Sequence, residues 1–177
     1  MRKQPGSFQR LSETVYSTQS PVVCISSSEI DFLQDVAANS SSQKARVLLH
    51  GSSEEDLHEM LIVHTFGQYI QPHINLESAK SFVVLDGEMA VALFNKGGAI
   101  SNYVQLGVSR GASAFLLRID DPVFHTVVPI SNTVTFLETV KGPHMQTHYA
   151  PFAPPPTDKS KSETYMKWLM EELAIER

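Results

Sequence analysis

Cysteine is nearly absent from this sequence. Cys24 stands alone, so neither an intrachain disulfide nor a thiolate metal cluster can form, and as a free thiol it reads as a small hydrophobe on a strand. Long apolar runs are missing too: none approaches the ~20 residues a membrane helix requires. The opening residues also lack the basic start and apolar stretch of a signal peptide. A soluble, cytoplasmic protein is expected. Positive charge is scarce, with 14 Lys and Arg against 19 Asp and Glu for a net charge of −5. Arg2-Lys3 and Lys159/Lys161 are the nearest things to a basic cluster. Nucleic acid and anionic membrane surfaces are therefore poor partners, and no helix-turn-helix pattern is visible.

What is present is an ordinary globular composition, 42% hydrophobic and 19% charged over 177 residues. The chain divides into an N-terminal extension over 1–43, a β-rich region over 44–156 and a C-terminal helix over 157–177. In the extension, Val22–Ile25 reads as a short strand. Ser26 to Glu29 offers a capping box, and Ile30, Leu33 and Ala37, with Phe32 and Val36 beside them, supply a helical stripe that ends at Asn39. From Ala45 the texture changes to short Val-, Ile-, Phe- and Leu-rich runs between turn signals. Strands are expected at 45–49, 57–66, 69–74, 81–85, 89–94, 103–106, 114–119, 125–128 and 133–139. Asp86-Gly87-Glu88 and Asn95-Lys96-Gly97-Gly98 read as hairpin turns. Such a series argues for a sandwich or closed barrel, which removes exposed edges. Beyond the Pro151–Pro156 segment, Ser160 and Glu163 suggest a second capping box. Tyr165, Trp168, Leu169 and Leu173 then fall at helical spacing, as for a helix lying on the barrel.

The informative stretch is Gly67-x5-His73-x-Asn75-x4-Lys80-x6-Gly87. It has the intervals of the first cupin motif, G-x5-H-x-H-x3-4-E-x6-G, with Asn75 where a second His belongs and Lys80 where a Glu belongs. His125 matches the histidine of the second motif, whose Asn position is occupied by Pro129. Together with Arg46-x3-His50, Ile70-Gln71-Pro72-His73, Phe124–Val128, Leu137-Glu138-x3-Gly142-Pro143 and Phe152-Ala153-Pro154, the chain resembles the WbuC family of the RmlC-like cupin superfamily. The resemblance runs from about Arg46 to Pro155. It implies an all-β, jelly-roll type cupin barrel, here with a short N-terminal helix and a C-terminal helix packed on it. It also implies a homodimer and a sugar or sugar-nucleotide ligand linked to bacterial surface-polysaccharide synthesis.

The full motif holds a divalent metal, such as Fe, Mn, Ni or Zn, through three imidazoles and a carboxylate that leave open positions for substrate. Here His73 and His125 are the inherited ligands of a depleted site, and a charged Lys80 near the metal would repel it by about 4 kcal/mol at ~4 Å. Glu77 could replace a ligand only off the interval to Gly87. Two readings stand for the histidines, barrel-lining pocket residues or metal ligands. As catalytic candidates we take His73, His125, Lys80 and Glu138. Glu138 shares a face with Val134 and Phe136, and is either an inward carboxylate partnered by Lys80 or a strand-end ion pair. His64, Gln71 and Asn75 are candidate pocket residues. His58, in an acidic turn, reads as solvent-exposed; His144 and His148, in an irregular segment, read as structural or surface residues. The implied activities are a metal-independent isomerase or epimerase, a metal-dependent dioxygenase or isomerase, or a non-catalytic binding or sensor protein.

Overall fold

The computed structural model describes residues 2–76, 79–108, 114–143 and 146–175. The capping box forms as expected. The Ser26 hydroxyl accepts from the Ser28 amide while Glu29 accepts from the Ser26 amide, starting α1 (Ser27–Asn39). The helix buries Phe32, Leu33, Val36 and Ala37. Among the described residues twelve strands accompany it: β1 (Phe8–Arg10), β2 (Val15–Thr18), β3 (Lys44–Leu48), β4 (Leu57–Thr65), β5 (His73–Asn75), β6 (Lys80–Asp86), β7 (Glu88–Phe94), β8 (Ile100–Gly107), β9 (Leu116–Ile119), β10 (Phe124–Pro129), β11 (Thr133–Lys141) and β12 (Thr147–Tyr149). A second helix, α2 (Lys159–Glu172), follows.

The strands form two sheets rather than one closed barrel. A seven-stranded sheet runs β1-β2-β3-β4-β11-β6-β9 and a five-stranded sheet runs β12-β5-β10-β7-β8. All named pairings are antiparallel except β2 with β3. Alternation along the strands sorts side chains into three cores. Leu61 and Val63 of β4 pack outward with Ala45, Val47 and Tyr16 against α1. Ile62 points the other way, joining Phe82, Met89, Val91, Val127 and Phe136 between the sheets. On the far side, Ala90, Ala92 and Val128 pack with Met166 and Leu169 of α2 and with Leu173, its C-cap.

Several local expectations are corrected by tertiary context. Val22–Ile25 forms no strand: Val22 is 75% exposed, the Ser20 hydroxyl bonds both main-chain groups of Val22 in a tight turn, and Cys24 is exposed. Tyr69–Pro72 is not strand, and only His73–Asn75 of that run pairs. Asp86-Gly87-Glu88 is not a hairpin but a corner, because β6 and β7 belong to different sheets. Gly87 makes it possible with a φ of 77°. The second helix is capped by Asp158, which accepts from the Lys161 amide, two residues before the expected Ser160. Asn95–Gly98 does close a hairpin between β7 and β8, with the Asn95 carboxamide accepting from the Gly97 and Ala99 amides.

Candidate functional site

The inner faces of the two sheets enclose a cavity of about 760 Å³. Its walls are largely apolar, with Ile62, Ile70, Phe82, Val127 and Phe136 among the lining residues. Chemistry is concentrated at one end. His73 of β5 and His125 of β10 are direct cross-strand partners, which brings their rings to 4.6 Å between centroids, tilted by 53°. Each is held by the main chain two residues before it: His73 Nδ1 lies 3.1 Å from the Gln71 carbonyl and His125 Nδ1 lies 3.0 Å from the Val123 carbonyl. A carbonyl oxygen only accepts, so Nδ1 of each neutral ring carries the hydrogen and Nε2 holds the lone pair. Nε2 of His125 is buried and has no hydrogen-bond partner among the described residues.

Lys80 and Glu138 complete this end. They sit diagonally across β6 and β11, since Glu138 pairs with Phe82 and Lys80 with Val140. Lys80 Nζ donates to Glu138 Oε1 at 3.0 Å, with side chains only 4% and 14% exposed. The same ammonium lies 5.7 Å from the centroid of the Phe82 ring, and that ring is 6.1 Å from His125. Burial and then the charge of Lys80 hold the pKa of His73 below its usual value and that of His125 well below it. At neutral pH both imidazoles are therefore bases, facing a cavity that also holds an ion pair.

The other candidate residues are placed as follows. Asn75 lines the cavity beside His73, its amide nitrogen 3.4 Å from the Thr147 hydroxyl and its Oδ1 buried without a partner. His64 lines the cavity at a different end. It is the cross-strand partner of Lys44, packs edge-on against Phe136 at 5.4 Å, and has an unpartnered Nδ1. Burial, then Lys44 and Arg46, push its pKa down to about 3. The Gln71 amide does not serve the cavity; it donates to the carbonyls of Ala150 and Ala153, anchoring the proline-rich segment. Only its main-chain carbonyl serves the site, by fixing His73. His58, expected at the surface, is buried and stacks on His50 at 4.3 Å, because β4 starts before it and turns it inward. His148 is exposed on β12. Glu77 and His144 lie outside the described residues.

Sequence reasoning missed Tyr149 and Thr147, which reach the cavity from β12, with the Tyr149 ring 6.3 Å from His73. A three-residue strand in a proline-rich segment carries no periodicity by which to find it.

Cupin proteins with the full motif hold a metal at this place, so the donor set bears on whether this chain could do so. Two imidazoles present their Nε2 side in the way metal-bound histidines do, each with Nδ1 donating to a carbonyl. The rest does not fit. Among the described residues no group of three or more His, Cys, Asp or Glu is gathered. The ligand-position carboxylate is replaced by Lys80, and the nearby carboxylate, Glu138, is engaged by that lysine.

Residues 25–106 match a family model described as a domain of unknown function, DUF6016, which is less than half of the chain. No curated protein matches. Among solved structures, an oxalate oxidase is similar at a TM-score of 0.50 and 13% identity, covering 78% of this chain and 69% of that one. The cupin domain of Cnp3 from Schizosaccharomyces pombe gives 0.45 at 13% identity, covering 56% and 64%. KdgF from Halomonas sp. gives 0.45 at 14% identity, covering 58% and 81%. The chain spans less than two thirds of the length of the first solved structures it matches. The likeness to the oxalate oxidase, at 13% identity, speaks to fold alone, and with the two facing sheets and their flanking helices it makes this a cupin-type jelly roll.

Proposed function

We propose that this chain is a WbuC-type cupin that binds a sugar or sugar nucleotide without a metal and isomerises or epimerises it, in the service of bacterial surface-polysaccharide synthesis. The observation that carries the reading is the His73–His125 pair, in which His125 Nε2 is a buried base with no partner in a largely apolar cavity. Buried polar atoms are nearly always hydrogen-bonded. His125 Nε2 and Asn75 Oδ1 both accept, so a ligand bearing several hydroxyl donors suits them. The volume is within the range of small-molecule sites.

The chemistry follows from the same groups. One imidazole Nε2 takes the proton from a carbon α to the sugar carbonyl, and the electron pair moves onto the carbonyl oxygen to give an enolate. The Lys80 ammonium stabilises that oxygen. Taking a proton from water on the opposite face, while the imidazolium releases its own to solvent, inverts the carbon; return of the imidazolium proton to the former carbonyl carbon, with the hydroxyl proton on the α-carbon passing to the enolate oxygen, isomerises the sugar. Glu138 keeps Lys80 in place. The test is incubation with nucleotide sugars in deuterated water, read by NMR. Deuterium should enter at the carbon next to the carbonyl with the wild type and not with His73→Gln or His125→Gln. Saturable binding without exchange would sink the catalytic part and leave a binding protein. An absence of binding would sink the sugar reading.

A further inference from the structure

We infer that the end of the cavity formed by Lys44, Arg46 and His64 is a subsite for an oxyanion, a phosphoryl or carboxylate group carried by the ligand. This deepens the sugar reading above and rests on it for the remainder of the ligand. Lys44 and Arg46 are two residues apart on β3, so both project from the same face of the strand. Register settles which face: Lys44 pairs with His64 and Arg46 with Ile62, and all four line the cavity. Their α-carbons are thus about 7 Å apart on that face.

Neither cation forms an ion pair among the described residues. Among the described residues the cavity lining holds three cations, Lys44, Arg46 and Lys80, against one carboxylate, Glu138, which Lys80 already engages. In a chain of net charge −5, such a local excess of positive charge is a field that draws anions into the cavity. The pKa of Lys44 is lowered by burial and by Arg46 beside it. Beneath them His64, 8% exposed, has an Nδ1 with no partner. A guanidinium, an ammonium and an imidazole thus line one end of the cavity, a donor set suited to an anionic oxygen cluster.

Glu138, at the histidine end, sets the spacing for one extended ligand. Glu138 pairs with Met60 on β4 and Arg46 with Ile62, so two residues and two strand spacings separate the ends, about 12 Å along the sheet. A ligand with its reacting sugar at His73 and His125 places its charged substituent at Lys44 and Arg46.

The experiment is titration of the full chain with inorganic phosphate, and separately with acetate, following the imidazole carbon–proton resonances, with chloride at matched ionic strength as control. Phosphate should move the His64 signal saturably and leave His73 and His125 in place. Arg46→Gln and Lys44→Gln, both at exposed side chains, should each weaken phosphate by about tenfold, the value of one hydrogen bond to a charged group. Acetate acting as phosphate does identifies a carboxylate subsite. A His64 signal that neither anion moves beyond the chloride control, or a response identical in wild type and Arg46→Gln, overturns the subsite. A neutral sugar that fails to move His73 and His125 while phosphate still moves His64 defeats the sugar reading and spares this one.

Discussion

At the scale of single residues, the site depends on what each polar group was given as a partner. The Lys80–Glu138 pair is buried, and the desolvation of two charges is recovered only while both are present. Lys80→Met therefore leaves a buried carboxylate and should lower stability by about 3–5 kcal/mol, measured by urea unfolding. Lys80→Met with Glu138→Leu should recover most of that loss. A single variant as stable as the wild type would mean that water already reaches Glu138. His73 and His125 were legible in the sequence because a motif interval survives the loss of two of its ligands. Gln71 was not, since its amide is spent on the carbonyls of Ala150 and Ala153, a contact nearly eighty residues away in sequence.

At the scale of elements, local chemistry was a good guide where the interaction was local. The Ser26–Glu29 capping box lies within one turn and forms as read. The second box fails because Asp158 lies earlier in the chain and supplies its own carboxylate to the Lys161 amide. The corner at Gly87 shows the opposite dependence. Its φ of 77° is open to glycine, and a methyl group there would come within 2.3 Å of the Thr133 carbonyl oxygen on β11. Gly87→Ala should cost more than the ~1–2 kcal/mol of a left-handed backbone alone. Gly6→Ala, with nothing within 4 Å of the added atom, is the control. Equal melting temperatures for the two variants would show that the corner can relax. Hairpin and corner share the same turn residues, which is why the sequence could not tell them apart.

At the scale of the whole molecule, buried imidazoles make stability depend on pH. His64, His73 and His125 have folded-state pKa values lowered by burial and nearby cations, His64 to about 3. The unfolded chain binds protons on these rings near pH 6.5 while the folded chain does not, so the unfolded state gains protons first. Stability should accordingly be constant at neutral pH and fall as pH drops below about 6.5, by up to ~1.4 kcal/mol per pH unit for each ring. The slope should flatten in His64→Asn. A stability that rises on acidification would show that these rings are charged in the fold. Elemental analysis of untagged protein should give no stoichiometric Fe, Mn, Ni or Zn, because Lys80 stands where the carboxylate ligand would be. Stoichiometric metal lost in both His73→Ala and His125→Ala would overturn the metal-independent reading.

The sequence by itself determined the features carried by nearest neighbours and by strict intervals: the first helix and its cap, the alternating strands, the C-terminal helix, and the spacing that marks His73, Lys80 and Gly87. These depend on hydrogen bonds within a turn and on the period of two that any strand imposes. Only the tertiary structure decided which strands share a sheet. That placed His73 opposite His125, Lys80 diagonal to Glu138, and Lys44 opposite His64. Register between distant strands is set by burial of whole faces, so the pairing that joins these groups exists in no single stretch of the chain.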